Sequence, residues 1–440
     1  MPNLVLVSLD CVRPESVGCY GERFPSLLHP GKPLLHFRGS RLVRPLADPL
    51  LDRAAGLLVR PRTPVIDALC ARGERYRMAI AQAPYTPASH ASMLTGQNPY
   101  RHGIERFVGC KLAPEAGTLA EHLQEAGFRT GAFVGANALS DVFGLDRGFD
   151  TYDCDMEEEG VVMGDFALHR RSCEAVTRRA LDWLEGAGPS RPFFLFLHYF
   201  DAHERDDHYS YQPLFQIRRT TDLDRSLGRL VAALERRGQL ADTLFMITAD
   251  HGNDFGVHEA GHRCFLYDST LRVPLVVAGP GSHPGTVVDE QVRLIDLMPT
   301  ALERLGLPTL PLEGRLPLEG IGLDHRDADR PAYSETFFER SADDWQTPRH
   351  SYMSLRRPPW KLVVDRTTDT ARLYDLDADP METTDLGERH PEVVARMRAE
   401  LDDMRGSGGD GGGNGTGGEE AMDDAERERL VASLKNLGYL

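Results

Sequence analysis

Four short stretches carry the residues whose types and spacing could do chemistry. Asp10 directly follows the apolar run Asn3–Leu9 (NLVLVSL), and Thr86 lies in a proline-bracketed turn opening APYTPASHASMLTG at Ala83–Gly96. HYFDAH at His198–His203 brings Asp201 and His203 to the end of Phe193–Leu197. ADHG at Ala249–Gly252 sets Asp250 and His251 at the end of Thr243–Thr248, with His262 twelve residues after Asp250. Mixed Asp/His donors suit Zn²⁺ or Mn²⁺ better than Ca²⁺, which prefers shells of oxygen. A hydroxyl at a helix N-terminus meets free backbone N–H groups and the positive end of the dipole. Both favour an anion there and help an alkoxide form beside a metal. Each part has a plainer reading: Asp10 as a turn or cap residue, Thr86 as a helix N-cap, the histidines as structural or surface residues. Four acidic or histidine-bearing strand ends on one edge argue instead for a site.

The elements that must position these residues alternate. Asn3–Ser8 reads as a strand and Thr63–Arg72 as a helix, with Thr63 as its N-cap and Pro64 at the first helical position. Leu119–Ala126 reads as a helix closed by Gly127, followed by a strand at Thr130–Gly135. A helix at Cys173–Gly186 precedes the strand Phe193–Leu197, and a helix at Asp222–Arg237 precedes the strands Thr243–Thr248 and Leu271–Val277. This order predicts an α/β fold with a largely parallel sheet covered by helices, whose ligands gather at the carboxyl ends of the strands. From Pro331 to Leu401 the pattern changes to a smaller α+β unit. It has short strands at Tyr333–Glu335 and Leu362–Asp365, an aromatic and basic segment Trp345–Trp360 between them, and a final helix at Glu392–Arg405. The expected division is a catalytic domain over 1–325, a subdomain over 326–405, a glycine-rich tether over 406–420 and a tail helix over 421–440.

Composition excludes several classes. Fifty Lys and Arg against 67 Asp and Glu leave a net charge of −17, which speaks against nucleic acid or an anionic membrane as the main partner. Apolar stretches such as Pro192–Phe200 are far shorter than the roughly 18–20 residues of a membrane span. The opening MPNLVLVSLD shows no basic n-region and no h-region, and the seven scattered cysteines form no disulfide framework or metal knuckle. A cytoplasmic location is the expectation.

The sequence resembles the sulfatase family within the alkaline phosphatase superfamily. The matching stretches are Asn3–Gly21, TPVIDALCARG at Thr63–Gly73, TPASHASMLTG at Thr86–Gly96 and FGLDRGFDTYD at Phe143–Asp153. ITADHG at Ile247–Gly252, YDSTLRVPLVVAGPG at Tyr267–Gly281 and LYDLDADPMETTDL at Leu373–Leu386 complete the set. The resemblance implies a three-layer sandwich with a mostly parallel central sheet and a small C-terminal α+β subdomain. It makes Asp10, Asp250 and His251 metal ligands, with Asp201 a weaker candidate, and places Thr86 at the nucleophile position on the same ion. Ser89 and His90 fall at substrate-binding positions. His203 and His262 fall where relatives place substrate contacts, a leaving-group acid, or ligands of a second ion.

Departures from the family pattern shape the functional expectation. The family's C/S-x-P-S-R motif, whose first residue becomes formylglycine, reads here Thr86-Pro87-Ala88-Ser89-His90, and threonine is not a substrate for that conversion. Cys11 stands in place of a second aspartate and His251 in place of an asparagine. The expected enzyme is thus a metal-dependent hydrolase of a small anionic phosphate or phosphonate mono- or diester. One or two Zn or Mn ions, rather than Ca, would serve Thr86 as nucleophile. A sulfuric-ester hydrolase without formylglycine, a phosphotransferase to an alcohol acceptor and an inactive anion-binding relative are the alternatives. Residues 24–62 form an insertion with seven Lys and Arg, read as a lid over an anionic substrate or equally as a packed excursion or homo-oligomer contact.

Overall fold

Asn3–Leu9 (β1) is apolar along its whole length because both its faces are covered: every residue of the strand is buried. The computed structural model describes residues 1–22, 60–106, 109–156, 161–163, 166–168, 170–186, 191–203, 212–255, 258, 265–309, 311, 312, 314–325, 330–339, 348–406, 425 and 428. The 24–62 insertion (apart from its last three residues), the tether over 407–420 and nearly all of the tail lie outside them. Among the described residues no helix is long and apolar enough to cross a membrane.

The elements of the large unit follow in order: α1 (Pro64–Ala71), β2 (Gly73–Ile80), α2 (Thr86–Thr95), α3 (Leu119–Glu125), β3 (Arg129–Phe133), β4 (Thr151–Asp153), α4 (Cys173–Glu185), β5 (Phe193–Tyr199), α5 (Gln212–Arg236), β6 (Thr243–Thr248), β7 (Arg272–Ala278), β8 (Thr286–Arg293) and α6 (Leu297–Arg304). The eight strands form one sheet in the order β8-β2-β7-β6-β1-β5-β3-β4. Only β7 runs against its neighbours, pairing antiparallel with β2 and with β6. β1 is flanked in parallel by β5 and β6, with Ser8 opposite both His198 and Thr248. That register brings the ends of three consecutive strands to one level.

Two local expectations are corrected. Thr63 sits at the N-cap of α1, but its hydroxyl accepts from Gly18 N (2.8 Å) and donates to Asp67 Oδ1 (2.9 Å). The free N–H groups of Val65 and Ile66 are met by Asp224 of α5 instead. The helix read from Asp222 begins ten residues earlier, at Gln212.

The C-terminal subdomain is a four-stranded antiparallel meander, β9 (Ala332–Glu339), β10 (Pro348–Arg357), β11 (Trp360–Asp365) and β12 (Thr370–Asp375), backed by α7 (Pro391–Gly406). The aromatic and basic segment Trp345–Trp360 thus contains a strand of its own, β10. Val393, Met397 and Leu401 of α7 pack on the sheet through Leu355, Leu362 and Leu373. Polar contacts join this sheet to the large unit. Fully buried Lys361 of β11 places Nζ 2.9 Å from Asp268 Oδ1 and 2.8 Å from Glu382 Oε1, and Arg356 of β10 reaches Asp268 Oδ2 at 2.9 Å. Burial opposes ionisation of Asp268, yet the charges of Arg356 and Lys361 hold its carboxyl well below the usual range. Removing one member of a buried ion network costs about 3–5 kcal/mol. Asp268→Ala is therefore expected to lower the unfolding free energy from urea denaturation of the full chain by an amount of that order, and an unchanged midpoint would contradict the interface described.

Candidate active site

β1 ends one residue before Asp10, whose N–H donates to Tyr199 O at 2.9 Å. The carboxylate is thereby set between the ends of β5 and β6. Asp250 and His251 follow β6 by two and three residues, and Asp250 Oδ1 accepts from Cys11 N (3.1 Å) and His251 N (2.9 Å). The carboxylate of one strand end thus organises the backbone of the next.

Thr86 is the first residue of α2, not its cap. Tyr85 holds the N-cap position, extended and without a capping side-chain bond. The Thr86 hydroxyl donates to Asp10 Oδ2 at 3.2 Å and lies 3.5 Å from His251 Nε2. Asp10, Thr86, Asp250 and His251, drawn from three separate parts of the chain, therefore converge, and all four are buried.

The electrostatics of the pair are those of two carboxylates sharing too little compensation. Burial opposes the charge of Asp10, but the His198 hydrogen bond and the imidazoles of His203, His198 and His251 hold its carboxyl well below the usual range. Burial, and then the charge of Asp10, push Asp250 up to about 6. Asp10 Oδ1 and Asp250 Oδ2 are both buried without a hydrogen-bond partner. An orphaned buried carboxylate oxygen is costly. Asp10, Asp250 and His251 each offer a ligand atom, all within 4.8 Å of one another. The donor set and its two unsatisfied oxygens fit a divalent cation.

The remaining expected residues divide. His203 is buried at the same edge, its ring stacked on Phe200 with centroids 4.5 Å apart, and it shares a donor group with Asp10 and Cys11. Asp201 does not join these groups. Its Oδ2 accepts from Cys173 N at 2.7 Å, at the first turn of α4. Ser89 and His90, expected at the substrate, are fully buried in a layer beneath the cluster. Ser89 Oγ donates to Asp250 O, and His90 bridges Thr86 O at 2.7 Å and Ser8 Oγ at 2.8 Å. Burial, followed by the His198 charge, pushes His90 down to about 3, so a neutral ring occupies the place where the family pattern carries arginine. His262 lies outside the described residues.

One residue escaped sequence reasoning. His198, inside β5, accepts from Gly135 N at Nδ1 (3.3 Å) and so donates through Nε2 to Asp10 Oδ2 at 3.0 Å. The available signal was its place in the β5 run of HYFDAH, opposite Ser8 in register, but only the pairing of β5 with β1 reveals it.

The Sulfatase family model matches residues 2–307, and a model described as N-sulphoglucosamine sulphohydrolase, C-terminal, matches residues 256–407. The chain belongs to the sulfatase family. Arylsulfatase K of Bos taurus is 24% identical over 426 residues, covering 77% of this chain and 76% of its own. Choline-sulfatase of Rhizobium meliloti (strain 1021) is 30% identical over 226 residues, 49% of this chain and 41% of its own. The match to human arylsulfatase K spans 34% of that protein. Among solved structures, a phosphonate monoester hydrolase from Silicibacter pomeroyi superposes with a TM-score of 0.67 at 19% identity, covering 93% of this chain and 96% of its own. As a member of the sulfatase family, the chain is a hydrolase of ester bonds.

Cation binding to this site must expel the proton that Asp250 holds below about pH 6. Affinity of the chelated protein for Zn²⁺ or Mn²⁺, measured by calorimetric titration, is expected to be level above that pH and to weaken roughly tenfold per unit below it. A constant affinity from pH 5 to 8 would contradict the shared charge of Asp10 and Asp250.

Proposed function

We propose that this sulfatase-family member cleaves a small phosphate or phosphonate mono- or diester through a covalent intermediate on Thr86. The observation that carries the reading is the Thr86 hydroxyl, 3.2 Å from Asp10 Oδ2 at the start of α2, beside two buried carboxylate oxygens without a hydrogen-bond partner, one of them 3.3 Å from His251 Nε2. Asp10, Asp250 and His251 would hold a divalent ion, Zn or Mn in preference to Ca, which would supply Lewis-acid polarisation and charge neutralisation to the ester. Thr86 Oγ1 attacks phosphorus in line, forming the Oγ1–P bond as the bond to the leaving oxygen breaks. The hydrogen bond to Asp10 orients the hydroxyl, whose proton passes to solvent water, because a carboxyl held so far below the usual range does not keep it. His198 holds that carboxylate from the other side through Nε2–H. The N-terminal turn of α2 faces the developing negative charge, which its free N–H groups stabilise. His203 or His262 returns a proton to the leaving oxygen, and water then hydrolyses the phosphothreonine to restore the free hydroxyl.

A second reading, sulfuric-ester hydrolysis with an unmodified threonine, is favoured by the names of the relatives, arylsulfatase K and choline-sulfatase. Parallel turnover assays on an aryl sulfate, an aryl phosphate and an aryl phosphodiester separate the two. Phosphoester turnover is expected to dominate, and turnover confined to the sulfate would overturn the phosphoryl reading. Thr86→Ala is expected to lower kcat by roughly 10³-fold or more with the thermal midpoint retained. Mass spectrometry of the acid-quenched wild type should show phosphate on Thr86. Activity surviving in Thr86→Ala would sink the mechanism.

A further inference from the structure

Helices α4 and α5 each precede a parallel strand, β5 and β6, and run against it, so both begin at the sheet edge that carries the active site. Between their opening turns and the end of β5 lies a cavity of about 120 Å³. One water needs roughly 10–15 Å³ of such space, so the cavity has room for a tetrahedral oxyanion. Its lining is cationic, in a chain whose net charge is −17. Arg170 and Arg171 enter from the start of α4 and Arg219 from α5, against the single carboxylate of Asp201 among the described lining residues. That carboxylate is already engaged by Cys173 N. Carboxylates nearby are each divided between two guanidinium groups. Asp153 takes Arg171 at 2.9 Å and Arg179 at 3.1 Å, and Asp222 takes Arg219 at 3.5 Å and Arg225 at 2.9 Å. Positive charge left over around a cavity favours an anion inside it.

Individual donors fit the same occupant. The Arg171 side chain is fully buried, its terminal nitrogens held by Asp153 Oδ1 and by the carbonyls of Asp153 and Asp155. Its Nε is buried with no hydrogen-bond partner. A buried N–H without an acceptor is costly, and an anionic oxygen in the cavity is the acceptor it lacks. Ser172 caps α4 by accepting from Ala175 N at 3.2 Å, which leaves its O–H to donate. The Arg219 guanidinium lies over the Phe215 ring, 5.3 Å from the centroid, a contact that positions the head group and consumes none of its N–H groups. Phe200 borders both places, lining the cavity and stacking on His203 of the active site.

We propose that this cavity is an oxyanion subsite, taking a phosphate-, sulfate- or carboxylate-type group against Arg170, Arg171 and Arg219. Guanidinium groups suit such oxygens because their N–H groups are charged and fixed in a planar fork. Two sources offer that chemistry, a second acidic group on the substrate and a free inorganic anion. The subsite stands apart from the phosphoryl reading of Thr86, and neither depends on the other.

The test is calorimetric titration of the full, chelator-treated chain with inorganic phosphate at fixed ionic strength. Chelation leaves Asp10 and Asp250 to repel phosphate from the active site, so binding reports the cavity. The wild type is expected to bind one equivalent. Arg170→Gln and Arg219→Gln, at residues that are not fully buried, are expected to bind at least about tenfold more weakly with the thermal midpoint retained. No binding by the wild type, or undiminished affinity in both variants, would overturn the subsite and leave phosphorylation of Thr86 untouched. The source is read from the KM values of the cation-supplied enzyme for phenyl phosphate and para-carboxyphenyl phosphate. A lower KM for the carboxylated ester that Arg219→Gln abolishes, with kcat for phenyl phosphate unchanged, assigns the cavity to the substrate. Equal KM values beside intact phosphate binding assign it to a free anion. Should the phosphoryl reading fail, the corresponding aryl sulfates make the same comparison.

Discussion

Two carboxylates buried side by side with too few donors govern this molecule. Asp10 and Asp250 come from adjacent parallel strands, and each keeps an oxygen that no hydrogen bond reaches. Such a pair is unstable by itself, since burial and mutual repulsion both oppose ionisation. The surroundings answer with imidazoles: His198 donates to Asp10, and His203 and His251 add attraction. What remains unanswered is a place for positive charge. The Thr86 hydroxyl lies within hydrogen-bond reach of that place.

The rest of the fold can be understood as support for that arrangement. The parallel pairing of β5, β1 and β6 brings three strand ends to one level, and the continuous burial of β1 keeps the level rigid. Beneath the cluster, Ser8, Ser89 and His90 form a hydrogen-bonded floor. It ties α2 to β1 and to the Asp250 carbonyl, so that the helix bearing Thr86 cannot shift independently of the carboxylates. A neutral, fully buried imidazole at position 90 suits this supporting role, whereas a charged side chain there would require its own counterion. On the far side, the buried Lys361–Asp268–Arg356 contacts attach the C-terminal sheet to the helical turn that leads into β7.

Family membership and local chemistry bear on different questions. Membership settles the sheet order and the general reaction, hydrolysis of an ester bond. The identity of residues 11, 86, 90 and 251 bears on which ester and which ion, because these positions decide donor softness and whether the nucleophile is a plain hydroxyl.

Much of this was legible in the sequence, for physical reasons. Strand-helix alternation predicted the parallel sheet because buried parallel strands must be apolar throughout and their crossovers need helices. A carboxylate or imidazole straight after such a run must sit at the strand's end, so Asp10, Asp250 and His251 could be placed without coordinates. What sequence could not supply was which strands are neighbours, because pairing is decided by packing across hundreds of residues. His198 therefore stayed hidden until β5 was seen beside β1, as did the bond that Cys173 N at the start of α4 makes to Asp201. Thr63 and Asp224 exchanged a role for the same reason, since a cap supplied from another helix leaves no local signature. Residue types and their order determined the chemistry on offer. The tertiary structure alone decided which groups meet, because a hydrogen bond or a cation is satisfied by proximity in space and is blind to distance along the chain.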